Sequence, residues 1–144
     1  MGALKKIMVV DDEAGIRSLL FDVLSSEGYK VSLAKDGRDS LDQMKHRRFD
    51  LLITDINMPV LNGIELLRRM KEAGRRERVI VMTGNPAAGS NLGTDLPPVF
   101  TLLRKPFHLN KFLEAVFSAL DKIPQKPLKK GTPRQRKGDR CFIN

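Results

Sequence analysis

The chain has 144 residues, 41% of them hydrophobic and 30% charged, a length suited to one domain with an ordinary core that needs no disulfide or structural metal. Its one Cys, Cys141, excludes an intramolecular disulfide and any multi-Cys metal site, and a reducing, cytoplasmic setting is the simplest expectation. The net charge of +9 suggests nucleic acid only until it is divided: seven Lys or Arg and one Asp lie from Pro124 to Asn144, which leaves +3 for residues 1–123, so an argument for a polyanion rests on the tail.

The first apolar run, Ile7 to Val10, is too short for a signal-peptide core, and no segment approaches the ~18 apolar residues of a membrane span. No membrane insertion is expected. That run reads as a buried strand, and it ends in acid at Asp11, Asp12 and Glu13. Ile16, Leu19, Leu20, Val23 and Leu24 then fall on one face of a helix that Gly28 closes. Tyr29 to Ala34 alternates as an edge strand with one wet face would. After an Asp36-Gly37 turn, Leu41 and Met44 mark a short helix.

Residues 49–55 are the centre of the pattern. Leu51, Leu52 and Ile53 are consecutive and apolar, as in a parallel strand covered on both faces. The strand delivers Asp55 to its C-terminal end, where Asn57, Pro59, Asn62 and Gly63 open a loop. Ile64, Leu67 and Met70 fit a helix to about Ala73, ended by Gly74, and Arg75 to Arg78 reads as a solvated connection.

Val79 to Met82 is a third buried run and ends in Thr83-Gly84; Val99 to Leu103 is a fourth and ends in Arg104-Lys105-Pro106. Between them the alternation calls for a helix, but Asn85, Pro86, Gly89, Gly93, Pro97 and Pro98 oppose one. Gly costs roughly 1 kcal/mol and Pro roughly 3 in a helix interior, so a short or irregular fourth helix is expected, near Ala87 to Leu92. Leu109, Phe112, Leu113, Val116, Phe117 and Leu120 complete an amphipathic helix to about Asp121.

Strand and helix alternating without a hairpin signal predict an α/β fold, a parallel sheet with helices on both faces and right-handed crossovers. Ligands bind such sheets beyond the C-terminal strand ends, where the strand order reverses. In the order 2-1-3-4-5 the first and third strands are neighbours ~4.8 Å apart, which brings Asp11 and Asp12 beside Asp55, with Glu13 near. At ~4 Å and an effective dielectric near 20, each like-charged pair costs on the order of 4 kcal/mol. A hard dication such as Mg²⁺ suits this all-oxygen set and leaves room for phosphate oxygens. Thr83 offers them a hydroxyl, and Lys105, two strand spacings from Asp55, has a stem long enough to reach back. An ionised carboxylate needs no general base to accept a phosphoryl group.

The Asp-Asp-Glu at 11–13, the Asp55-Ile-Asn-Met-Pro59 and Gly63 segment, Thr83-Gly84 and Lys105-Pro106-Phe107 resemble the receiver domain of two-component response regulators over about residues 5–122. The resemblance implies a flavodoxin-like (βα)5 three-layer sandwich and a phosphoacceptor signalling domain, not a turnover enzyme. It implies phosphate taken from a sensor histidine kinase or histidine phosphotransfer protein, with Mg²⁺ or Mn²⁺ bound. By position it makes Asp55 the phosphoacceptor and a metal ligand, with Asp12 a direct ligand, Asp11 a ligand largely through water, and Asn57 lending its backbone carbonyl. Thr83 would be the switch hydroxyl, Lys105 its ion-pair partner, and the Lys105-Pro106 bond cis. Two features depart from the family. Leu102 stands where an aromatic side chain usually swings inward, and the Gly- and Pro-rich segment 84–98 occupies the place of the fourth helix.

Other readings are plainer. His46 and His108 have no partners at metal-ligand spacing, Cys141 reads as an idle thiol, and Phe100, Phe107, Phe112, Leu113 and Phe117 read as core. A receiver at 1–123 is followed by a basic tail, 124–144, too poor in apolar residues to fold alone and expected to be mobile. With no effector domain following, output is expected through contacts with a downstream protein. The alternative is a module that binds protein or nucleic acid through the tail, independently of phosphorylation. A nucleotide-binding or metabolite-phosphorylating enzyme is disfavoured, because the first strand-to-helix turn is acidic and holds no Gly-rich phosphate cradle.

Overall fold

The computed structural model describes residues 4–84 and 97–120 and the backbone of residues 142–143. Five parallel strands, β1 (Lys6–Val10), β2 (Lys30–Ala34), β3 (Leu51–Asp55), β4 (Arg78–Thr83) and β5 (Thr101–Arg104), lie in the order β2-β1-β3-β4-β5. The helices are α1 (Ala14–Ser26), α2 (Gly37–Met44), α3 (Gly63–Glu72) and α4 (Leu109–Leu120). A two-residue strand β6 (Phe107–His108) pairs antiparallel with β7 (Phe142–Ile143).

Alternation along the strands divides the core between the two sheet faces. Ile7, Val9, Leu51, Ile53, Ile80 and Met82 meet α1 and α4 on one face. Met8, Val10, Leu52, Val79 and Val81 meet α2 and α3 on the other. The middle of a strand covered on both faces is apolar, which is why Ile7 to Val10, Leu51 to Ile53 and Val79 to Met82 read as uninterrupted runs, while the buried polar residues Thr54, Asp55 and Thr83 come at the strand ends. The three-layer order and the strand order agree with the sequence reading.

Helix boundaries have local causes. The Asp36 carboxylate accepts the Asp39 N–H at 2.8 Å and caps α2, and the Asn62 side chain accepts the Glu65 N–H at 2.9 Å and caps α3. Gly28 and Gly74, at φ 93° and 72°, end α1 and α3 in the left-handed conformation that glycine adopts most readily.

Four expectations need correction. Phe117 and Leu19 are exposed at 43% and 38%. In α4 the buried residues are Phe112, Val116, Ala119 and Leu120, and in α1 Ile16, Leu20 and Leu24; Phe117 and Leu19 each lie roughly 100° around the helix from the centre of that stripe. Phe100 is 43% exposed, because β5 begins only at Thr101. The stretch Arg75 to Arg78 is solvated only at Arg76 and Arg78, since Arg75 and Glu77 form an ion pair with side chains 14% and 3% exposed. The fourth helix expected near 87–92 lies outside the described residues, as does the tail apart from Phe142–Ile143. Among the described residues no helix is long and apolar enough to cross a membrane.

Candidate functional site

Strand register builds the site. Val10 pairs with Thr54, so the next residue of each strand, Asp11 and Asp55, stand level at one rim. Asp55 pairs with Met82, which puts Thr83 one residue further along the neighbouring strand. Thr83 in turn pairs with Arg104 and accepts the Lys105 N–H through its carbonyl oxygen at 2.8 Å. Four strand ends thus deliver two acids, a hydroxyl and an ammonium to one place.

Carboxylate oxygens of Asp11, Asp12 and Asp55 all lie within 4.8 Å of one another. Asp11 is fully buried, Asp55 is nearly so and Asp12 is exposed, so the cluster opens to solvent on the Asp12 side. Each buried carboxylate is held at both oxygens. Asp11 Oδ1 accepts the Glu13 N–H at 2.9 Å and Asp11 Oδ2 the Lys105 Nζ at 3.1 Å. Asp55 Oδ1 accepts the N–H groups of Ile56 and Asn57 at 2.7 and 3.3 Å, and Asp55 Oδ2 takes Lys105 Nζ at 3.0 Å.

Burial and charge oppose each other here. Burial pushes the Asp11 carboxyl above its usual range, and the Glu13 N–H and Lys105 recover only part of that. Burial also works against the Lys105 ammonium, but Asp11 and Asp55 outweigh it and its pKa is raised. Lys105 is therefore firmly protonated at neutral pH. Three clustered oxygen donors with no His or Cys among them fit a hard divalent cation.

The loop after β3 is shaped around Asp55. Gly63 donates its N–H to the Ile56 carbonyl at 2.8 Å, and a Cβ at Gly63 would lie 2.3 Å from the Asp55 carbonyl oxygen. Only glycine permits that closeness. Asn57 is exposed on this loop, beside Asp55, and the Lys105-Pro106 bond is cis.

Not every acid in the motif joins. Glu13 is exposed at the start of α1 and outside the carboxylate cluster. The sequence reading missed Arg17, whose guanidinium donates to the Asp11 carbonyl at 2.6 Å and fixes the turn from β1 into α1; one turn into an amphipathic helix, it looks like any solvated basic residue. Among the described residues neither His46 nor His108 belongs to a metal-ligand group. Leu102 is 36% exposed on the edge strand β5.

Comparison with known proteins agrees with this geometry. Residues 7–117 match the family model of the response regulator receiver domain. Sporulation initiation phosphotransferase F of Bacillus subtilis is 37% identical over 112 residues, which cover 78% of this chain and 90% of that protein. Response regulator receiver protein CpdR of Brucella abortus is 33% identical over 113 residues, covering 78% and 94%. The crystal structure of response regulator TrrA from Thermotoga maritima, in complex with Mg²⁺-BeF, superposes with a TM-score of 0.73 at 30% identity over 81% of this chain and all of that one. The chain belongs to the receiver domain family of two-component response regulators.

Proposed function

We propose that Asp55 accepts a phosphoryl group from the phosphohistidine of a sensor histidine kinase or histidine phosphotransfer protein. The observation that carries this reading is the Lys105 ammonium set between Asp11 and Asp55, just past the strand next to the one that ends in the buried Thr83. Asp11, Asp12, Asp55 and the backbone carbonyl of Asn57 are the groups we assign to a divalent cation, Mg²⁺ or Mn²⁺. Once bound, it would neutralise charge on the transferring phosphoryl oxygens.

The protein's own groups do the rest. An Asp55 carboxylate oxygen attacks phosphorus as the P–N bond to the donor imidazole breaks, and the imidazole nitrogen keeps the electron pair and is protonated. No base is required, because the attacking group is already an anion. The backbone N–H groups of Ile56 and Asn57 fix the plane of the carboxylate. Lys105, protonated, exchanges its contact with Asp55 for a phosphoryl oxygen, and the Thr83 hydroxyl binds another. Movement of Thr83 would pass the signal to a downstream protein.

Intact mass spectrometry after incubation with acetyl phosphate and Mg²⁺ is the test. A gain of ~80 Da in the parent and none in Asp55→Ala is expected; no gain, or an equal one in the variant, rejects the reading.

A second reading, a binding module indifferent to phosphorylation, is favoured by Leu102. An exposed aliphatic residue on the edge strand cannot make the inward swing of an aromatic ring. It requires partner binding unchanged in Asp55→Ala.

A further inference from the structure

The rim opposite the acidic cluster carries the other sign of charge. Lys30, Lys6 and Arg78 open β2, β1 and β4, with Lys6 and Lys30 register partners and Arg78 paired with Leu51 at the start of β3. Connections at the same end add Arg47, Arg48 and Arg76, all exposed. Among the described residues none of these six forms an ion pair. The acids nearby are Asp50, whose carboxylate accepts the Lys6 N–H at 2.8 Å, and Glu77, which Arg75 occupies, with Glu27 and Glu72 at the ends of α1 and α3. The modest charge of the body therefore conceals two separated poles.

Five of the six cations, all but Arg48, line a furrow made of three adjoining grooves. One groove is bordered by Lys6, Lys30, Arg47 and Phe49. A second shares Phe49 with it and continues along Lys5, Arg76 and Arg78, with Asp50 the one acid in its lining. A third shares Arg76 and Arg78 and ends at Phe100. The three run past the N-terminal ends of the five strands, a distance of about 19 Å at ~4.8 Å per strand. At the far end the Arg78 guanidinium stands 5.9 Å from the centroid of the Phe100 ring, which is 43% exposed.

Two connections beside the furrow are bonded to each other. The Arg75 guanidinium donates to the carbonyls of Met44 and Arg47 at 2.9 Å each, and Glu77 accepts the Phe49 N–H at 3.0 Å. That buried pair ties the connection before β3 to the one before β4, so the backbone that carries Arg47, Arg76 and Arg78 is held in place.

We propose that this furrow binds single-stranded nucleic acid, its backbone along the cations and a base on Phe100. A basic groove with an aromatic platform is what a single strand needs, since phosphates supply the charge and every base has a face to stack. Duplex recognition needs an element that enters a groove, and among the described residues no helix starts at this rim.

The test is fluorescence anisotropy of the full chain with labelled oligo-dT and oligo-U of about 20 nucleotides at low salt. Binding is expected to weaken with salt, to fall by about tenfold or more in Lys30→Glu/Arg76→Glu, and to fall several-fold in Phe100→Ala. Heparin binding should drop in the double variant and stay unchanged in Phe100→Ala. Phosphorylation by acetyl phosphate, at the opposite rim, should be normal in both, which separates this proposal from the phosphoacceptor reading and rules out misfolding. Affinity retained by the double variant would assign binding to the tail and overturn the proposal. So would no loss in Phe100→Ala, or tighter binding to phosphatidylserine vesicles or to a duplex of equal length.

Discussion

The Nζ of Lys105 lies 3.1 Å from Asp11 Oδ2 and 3.0 Å from Asp55 Oδ2, so one ammonium spans carboxylates from two neighbouring strands. Its side chain is only 11% exposed, so this is a buried triad and not a surface ion pair. Removing the cation leaves two acids facing each other out of water. Lys105→Met is expected to cost about 3 kcal/mol in urea unfolding with chelator present, near the low end for breaking a buried pair because Asp12 keeps the cluster open to solvent. Adding Mg²⁺ should recover part of the loss. A variant as stable as the parent in chelator would mean that the ammonium does not hold the acids together.

Asp55→Asn tests the same balance from the other side. From the acids alone, relief of like-charge repulsion should raise the thermal midpoint in chelator, since each pair costs on the order of 4 kcal/mol. Lys105 already offsets that repulsion in the fold, so the rise should be well below that figure. Mg²⁺ should stabilise the parent more than Asp55→Asn. Equal responses to Mg²⁺, read by calorimetry, would remove Asp55 from the metal site.

What the sequence disclosed depended on how many constraints each residue met. Ile7 to Val10, Leu51 to Ile53 and Val79 to Met82 were legible because the middle of a strand covered on both faces is apolar. The acids and Thr83 were legible because each ends such a run; Lys105 follows β5, where the expected buried run Val99 to Leu103 keeps only Leu103 buried, because β5 is an edge strand. Less accessible was anything set by angle or by distant partners. Phe117 and Leu19 satisfy apolar spacing yet sit at the edge of their helix stripe. Arg75 and Glu77 read as loop charge, and only the tertiary fold brings them to the Phe49 N–H and the carbonyls of Met44 and Arg47. The basic rim was hidden in the same way: Lys6, Lys30, Arg47 and Arg78 are scattered in sequence, and strand register gathers them.

Tyr29 gives an alkaline test free of the phosphoryl site. Burial, and then the charge of Glu27, raises its pKa above the ordinary 10.0. As pH passes 10.0 the unfolded chain releases that proton while the fold retains it, so the unfolded state binds fewer protons and stability falls with rising pH. Tyr29→Phe keeps the ring contact with Phe117, at 6.5 Å between centroids, and removes the titration. The parent is expected to lose more stability than Tyr29→Phe between about pH 9 and 11 in urea titrations. Lys105 titrates alike in both and cancels in the comparison. Parallel losses would show that the phenol titrates as it does in the unfolded chain.

Val60 carries a backbone cost that can be removed. It has φ 69°, and the Leu61 N–H reaches back to the Pro59 carbonyl at 2.7 Å, which together make a γ-turn of the uncommon, strained hand. A β-branched residue at positive φ costs about 1–3 kcal/mol. Its side chain repays little, because the residue is 73% exposed. Glycine adopts this conformation without strain, at the expense of roughly 0.5–1 kcal/mol of extra freedom in the unfolded chain. Val60→Gly is therefore expected to stabilise the protein by about 1 kcal/mol, read as a higher urea midpoint at constant m-value. The turn joins the Asp55 loop to α3, and Gly37 donates its N–H to the Leu61 carbonyl at 3.1 Å, so the same change reports whether that junction is strained. A lower midpoint would show that Val60 holds the loop in place.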